Sequence, residues 1–202
     1  MPGVKKNSII AAFDFDGTII KGDSFWVLVN ITHSPMQLMV AAIRTIGPLL
    51  AYLLRLQSNS GAKQALFKTL YGDWDFNRLL QAAKQFQTEM LQGMVYDEVA
   101  AELARHKAEG NTVVIVSATF SFLLGEWCAQ NGYGLLSTEA QVVDGKVTGR
   151  FVTPNCYGPE KVKRLKAWIG DRPYTLYAYG DSNGDRELLA LADFKYYRHF
   201  KK

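Results

Sequence analysis

Residues 11–20 read AAFDFDGTII, and the apolar run that leads into them begins at Ile9. IIAAF (9–13) has no polar alternation, which is the pattern of a strand buried on both faces of a parallel sheet. Gly17 and Thr18 then supply a turn signal. Asp14 and Asp16 stand one residue apart where the run ends. Two carboxylates this close raise the cost of ionising both. A chain that places them at a strand end therefore either offsets the repulsion with a cation or uses it.

Working outward from this strand, two further apolar runs have the same character: TVVIVS (112–117) and YTLYAYG (174–180). Between and after them the spacing predicts helices over 99–109, 122–131, 159–169 and 186–192, and FKYY (194–197) reads as an edge strand. Asp144-Gly145 within VVDGKV (142–147) is a hairpin signal. Short strands alternating with helices argue an α/β fold, a Rossmann-like doubly wound parallel sheet.

The stretch 24–95 differs: it carries helical spacing and no strand signal. Ser34-Pro35 and Gly47-Pro48 read as helix starts, and SNSG (58–61) reads as a loop before helices at 62–71 and 77–91. Met39, Ala42, Ile43, Ile46, Leu49, Leu50, Leu53 and Leu56 recur at a helical period. The expected organisation is a discontinuous α/β core, residues 1–22 and 96–202, with a helical cap, 23–95, inserted after the first strand.

Composition limits the function classes. The 202 residues are 48% apolar and 21% charged, so the chain is globular rather than disordered. A net charge of +4 is too small to argue nucleic-acid binding. Cys128 and Cys156 lack metal-ligand spacing and read as reduced packing thiols. Lys5 and Lys6 precede an apolar run too short for a secretory signal, and Asp14 ends it. The expected location is the cytoplasm, with a peripheral membrane position as the alternative.

Ligands of open parallel sheets bind beyond the carboxyl ends of the strands. Those ends carry Asp14 and Asp16, then Ser117 and Thr119, then Asp181, Asn183 and Asp185 in GDSNGD. Four carboxylates in one crevice call for a hard cation with oxygen ligands, such as Mg²⁺. DFDGT, VIVS, GPEK and GDSNGD occur in that order from Ile9 to Asp185, and together they resemble the haloacid-dehalogenase-like superfamily of phosphotransferases. The helical insert after the first motif is similar to the phosphoserine-phosphatase-like subgroup. The resemblance implies that Asp14 is the nucleophile and Asp16 the general acid and base. It implies Mg²⁺ held by Asp14, the backbone carbonyl of Asp16 and Asp181. It implies phosphoryl binding by Ser117, by nearby backbone N–H groups such as that of Ala118, and by Lys161, with support from Thr18, Asn183 and Asp185. Lys163 is the alternative lysine.

The chain departs from phosphoserine-specific members at three places. Asp23 stands where they carry glutamate, Ala118-Thr119 where they show Gly-Gly, and Gly184 where they show asparagine. These departures count against serine recognition, and the GDSxGD and Glu-Lys-Val segments resemble bacterial phosphatidylglycerophosphate phosphatases of the same cap type. The expected substrate is a small phosphorylated metabolite. The alternatives are a lipid phosphate, transfer to an acceptor other than water, and a non-catalytic phosphate-binding module.

From Ser24 to Gly72 there is no acid, only Arg44, Arg55, Lys63 and Lys68. The apolar stripe reads as cap core, and the alternative is a face that meets an anionic membrane. His33, His106 and His199 share no metal spacing, and Trp74, Trp127 and Trp168 read as packing. The tail KYYRHFKK fits no nucleic-acid-binding fold, and nothing in the sequence sets an oligomeric state.

Overall fold

A computed structural model describes residues 8–54, 56 and 58–200, without the side chains of Leu49, Tyr52 and Asn59. Lys5, Lys6 and Arg55 lie outside the described residues. The strand at the opening motif is β1 (Ser8–Phe13), and the inserted segment that follows carries α1 (Ser24–Thr32), α2 (Pro35–Leu53), α3 (Asn59–Tyr71), α4 (Phe76–Gln85) and α5 (Leu91–Met94). The α/β alternation resumes with α6 (Asp97–Ala108), β2 (Thr112–Phe120), α7 (Ser121–Asn131) and β3 (Gly134–Thr138). A hairpin, β4 (Ala140–Val143) and β5 (Lys146–Phe151), precedes α8 (Pro159–Ile169), β6 (Tyr174–Gly180), α9 (Arg186–Leu191) and β7 (Phe194–Tyr197).

β1 lies at the centre of a parallel five-stranded sheet ordered β3-β2-β1-β6-β7. Ala11 and Phe13 enter one core with residues of α6, α7 and the inserted helices, while Ile10 and Ala12 enter the other with residues of α8 and α9. The two-sided burial explains the unbroken apolar run. The fold is thus a doubly wound parallel sheet with an inserted all-helical cap. The chain leaves β1 toward β2 on one side and returns to β6 on the other, so the crevice between these strands is the switch point where such sheets bind ligands.

Four local expectations need correction. Gly47-Pro48 starts no helix, because α2 runs through Pro48 and forgoes only the one backbone bond that proline cannot donate. SNSG is no loop: Ser58 caps α3, its Oγ accepting from the Gly61 N–H at 3.1 Å. β2 does not end at Ser117 but continues to Phe120 after a shift in its pairing with β3. The stripe on α2 is not cap core. Met39, Ile43, Ile46, Leu50, Leu53 and Leu56 are exposed, and the small residues Ala41 and Thr45 are the buried ones.

The hairpin is a separate two-stranded sheet, as its Asp-Gly turn implies. Its β5 strand is tied to the cap, with Asp73 N–H donating to Val147 O and Val147 N–H to Trp74 O.

Candidate active site

The ends of β1, β2 and β6 open on a crevice of about 710 Å³, lined by Asp14, Asp16, Ser117, Ala118, Lys161 and Asp181 among others. Backbone pairing fixes the first acid, since the Asp14 N–H donates to Tyr179 O at 2.9 Å. The chain then turns at Gly17, whose φ is +75°, and a Cβ there would lie 2.7 Å from Asp181 Oδ2. Only glycine both takes that φ freely and lets β1 and β6 bring their acids this close.

Lys161 ties the acids from the first turn of α8. Its Nζ donates to Asp14 Oδ1 and to Asp185 Oδ1, each at 2.6 Å, and all three groups are buried. Lys163 instead points outward, 3.9 Å from Glu160, so the structure brings Lys161 and not Lys163 to the acids. Burial pushes the Asp14 carboxyl up to about 7, with Lys161 opposing and Asp185 adding to the rise. Burial opposes the Lys161 charge, yet Asp14 and Asp185 hold its pKa above the ordinary value. Burial also opposes ionisation of Asp185, but Lys161 and the Ser182 donors keep its carboxyl below the usual range. Asp185 Oδ2 accepts from the N–H groups of Asp181 and Ser182 and from Ser182 Oγ, so Asp185 sets the loop after β6.

Asp16 is held from the cap side. The Ser24 N–H donates to its Oδ1 at 2.7 Å, and Thr119 Oγ1 donates to its Oδ2. Burial raises its pKa, and Asp23 raises it further. A carboxyl kept above its ordinary value at a ligand crevice suits proton transfer. Ser117 is buried and its Oγ accepts from the Thr119 N–H at 3.0 Å. Thr18 Oγ1 reaches Asp14 Oδ2 at 3.3 Å and Asp181 Oδ1 at 3.4 Å. Asn183 is exposed and is not among the residues lining the crevice; Ser182 and Gly184 line it instead.

Two parts of the lining escaped the sequence reading, Lys63 and an apolar wall, while Thr119 was read at a strand end without a role. Lys63 of α3 donates to Ala118 O at 2.5 Å and stands 5.1 Å from the Phe120 ring, and burial lowers its pKa. Phe25, Trp26 and Leu66 give the cap wall an apolar surface, and Thr119 fastens Asp16. The acid-free stretch had marked Lys63 as a cap cation, but only the helix phase of α3 turns it into the crevice.

Carboxylate oxygens of Asp14, Asp181 and Asp185 lie within 4.8 Å of one another. Three hard oxygen donors in that space fit a divalent cation of the Mg²⁺ kind.

A model of the haloacid dehalogenase-like hydrolase family matches residues 11–190. Protein CicA of Caulobacter vibrioides is 29% identical over 195 residues, 96% of this chain and 87% of that protein. A probable phosphatase of Mycobacterium tuberculosis is 31% identical over 120 residues, 57% of this chain and 42% of that protein. Among solved structures, a Bordetella pertussis protein of unknown function superposes with a TM-score of 0.75 at 21% identity, covering 92% of this chain and 87% of that one. A phosphoserine phosphatase solved as a phospho-aspartyl intermediate analogue superposes with a TM-score of 0.59 at 17% identity, covering 94% and 86%. At these identities the two structures share the fold. The chain belongs to the haloacid dehalogenase-like hydrolase family, and its Asp14, Asp181 and Asp185 form a cluster able to hold a metal ion.

Proposed function

We propose that this family member hydrolyses a phosphomonoester through Asp14 as nucleophile and Asp16 as general acid and base. The observation that carries the reading is the buried Lys161 bridge between Asp14 and Asp185, with Asp16 held separately by Ser24 and Thr119. Asp14 is thereby set against a buried ammonium and Asp16 among neutral hydrogen-bond donors, which separates their roles. Residues 23–95 act as the cap in this reading, and 1–22 with 96–202 as the catalytic core.

Asp14, Asp181 and the Asp16 carbonyl would hold Mg²⁺, with Asp185 orienting Lys161 and the loop. When bound, the cation supplies positive charge to the phosphoryl oxygens and offsets the carboxylates. Asp14 attacks phosphorus, the ester P–O bond breaks, and Asp16 gives its proton to the leaving oxygen. Water then attacks phosphorus while Asp16 takes its proton, and the bond to Asp14 breaks to release phosphate and the free carboxylate. Ser117, the Ala118 N–H and Lys161 steady the phosphoryl oxygens, as in-line transfer requires.

A small phosphorylated metabolite is the first substrate reading. The apolar cap wall of Phe25, Trp26 and Leu66 supports the second, a lipid phosphate of the phosphatidylglycerophosphate type. The test is phosphate release from a panel holding both kinds with Mg²⁺, against Asp14→Asn as the blank. A substrate turned over by the native chain and not by the variant supports the reading, and equal release from both defeats it. An added alcohol that diverts the phosphoryl group would mark a phosphotransferase.

A further inference from the structure

We infer that the outer face of α2 lies in the plane of an anionic lipid bilayer. The helix is turned inside out relative to a core helix. Ile43, Ile46, Leu50 and Leu53 are 65%, 60%, 51% and 73% exposed, while Ala41 and Thr45 are 7% and 1% exposed. Met36, Met39 and Val40 extend the same outer face. At 100° per residue these positions fill an arc of roughly 140° along a helix about 28 Å long. Burying such a face in water-free surroundings is favourable, and nothing else in the described chain covers it.

Charge decides the occupant. From Ser24 to Gly72 the chain has no acid, and Arg44 is exposed just beyond the edge of the apolar arc. A helix with an apolar face and a flanking arginine suits the boundary between acyl chains and anionic headgroups, where the guanidinium reaches outward to phosphate. A second copy fits less well. A two-fold contact would set this face against itself, and the face offers no carboxylate for Arg44.

Geometry also favours lying in the membrane over crossing it. No single described helix is long and apolar enough to cross, and the α1–α2 pair turns by 120° at its break. Small residues on the inner face pack α2 against the rest of the cap, so insertion across the bilayer would strip that contact. α3 meets α2 on one side and gives Lys63 and Leu66 to the crevice on the other. The bilayer would therefore lie about one helix layer, roughly 8–10 Å between axes, from the cap wall of the crevice.

The test is sedimentation of the full chain with vesicles of phosphatidylglycerol mixed with phosphatidylcholine, and with phosphatidylcholine alone. The expected result is binding to the anionic vesicles, weakened by salt. Ile43→Glu with Ile46→Glu should lower the bound fraction roughly tenfold or more, and Arg44→Gln about fivefold. Both variants should keep the helical circular dichroism and the hydrolysis of a water-soluble phosphomonoester, because α2 lines no part of the crevice. The inference is overturned by failure to bind at low salt, by equal binding to both vesicle types, or by release only in detergent. A dimer dissociated by the double glutamate variant without vesicle binding would assign the face to a second copy instead.

Discussion

Replacing Asp14 by asparagine should abolish turnover and, in metal-free buffer, make the fold more stable. Burial lifts the Asp14 carboxyl from 3.8 to about 7. A carboxyl whose pKa is higher folded than unfolded weakens the fold as pH climbs past about 4, and does so fully above about 7. The rise is worth about 4 kcal/mol at about 1.4 kcal/mol per tenfold change in proton affinity. Asparagine removes that cost. The charge-assisted bond from Lys161, at 2.6 Å, is already contained in that figure, because it lowers the carboxyl's pKa against the larger effect of burial. The lysine keeps Asp185 as its partner ion. The net expectation is a gain of up to about 4 kcal/mol at pH 8, or roughly 8–16 °C in Tm for a chain of this size.

The assay is urea denaturation of both proteins in chelator from pH 4 to pH 8, repeated with Mg²⁺. The variant's advantage should shrink to below about 1 kcal/mol near pH 4, where the folded carboxyl is neutral and the unfolded one is only about half ionised. Added Mg²⁺ should reverse the order, because a cation that binds only the folded native site stabilises it by mass action. A variant less stable than the native chain at pH 8 without metal would refute the reasoning. An advantage that stays constant from pH 8 to pH 4 would refute it equally, since the gain must track ionisation of Asp14.

Three further outcomes are expected. Lys63→Met keeps an unbranched side chain and removes the ammonium, which lies over the Phe120 ring at the crevice; KM for an anionic substrate should rise roughly tenfold with kcat within about threefold, and an unchanged KM would remove Lys63 from substrate contact. Thr119→Val takes away one donor to Asp16 and leaves the Ser24 N–H. Proton affinity at Asp16 then rises, so the kcat/KM profile should move to higher pH with roughly a tenfold or greater loss of rate, whereas a move to lower pH contradicts the assignment. Glu102 is held near 2, chiefly by Arg105 with help from the Tyr179 hydroxyl. Because Arg105 is largely exposed, Glu102→Gln should cost only about 1 kcal/mol at pH 7. That gap should close as pH falls from about 4.5 toward 2, where the native carboxylate takes up its proton; a gap independent of pH in denaturation curves would disprove the account.

Much of the fold was legible because burial on both faces of a central sheet leaves strands with no polar alternation. β1, β2 and β6 carry such runs, and the acids follow them directly. β3, with the sequence GLLST, escaped the reading because five residues that mix glycine, leucine and hydroxyls carry too little β signal. The stripe on α2 was legible as a stripe, but its direction was not. A helical period says that large apolar residues share a face. It does not say whether that face or the one bearing Ala41 and Thr45 meets the cap. At the site, spacing along the chain nominated both Lys161 and Lys163, and only the phase of α8 separates a buried bridge from an exposed side chain.

The three departures from the phosphoserine-specific pattern have local reasons that the folded chain makes plain. Thr119 cannot be replaced by glycine without loosening Asp16, because its hydroxyl donates to that carboxylate and lies 3.0 Å from Ser24 Oγ. Gly184 leaves no room for asparagine, since a Cβ there would overlap the Tyr157 ring at the crevice wall. Asp23 caps α1, its Oδ1 accepting from the Trp26 N–H at 3.1 Å, and its charge raises the proton affinity of Asp16. One more methylene at that position would carry the carboxylate away from the cap it makes. Each change therefore meets a local need of this chain: Thr119 holds the acid, Gly184 clears the Tyr157 ring and Asp23 caps the helix. The crevice that results has Lys63 and an apolar wall of Phe25, Trp26 and Leu66 for its recognition surface. That surface supports the lipid-phosphate reading proposed above, since an anion carried on hydrocarbon would offer Lys63 a charge and the wall an apolar partner.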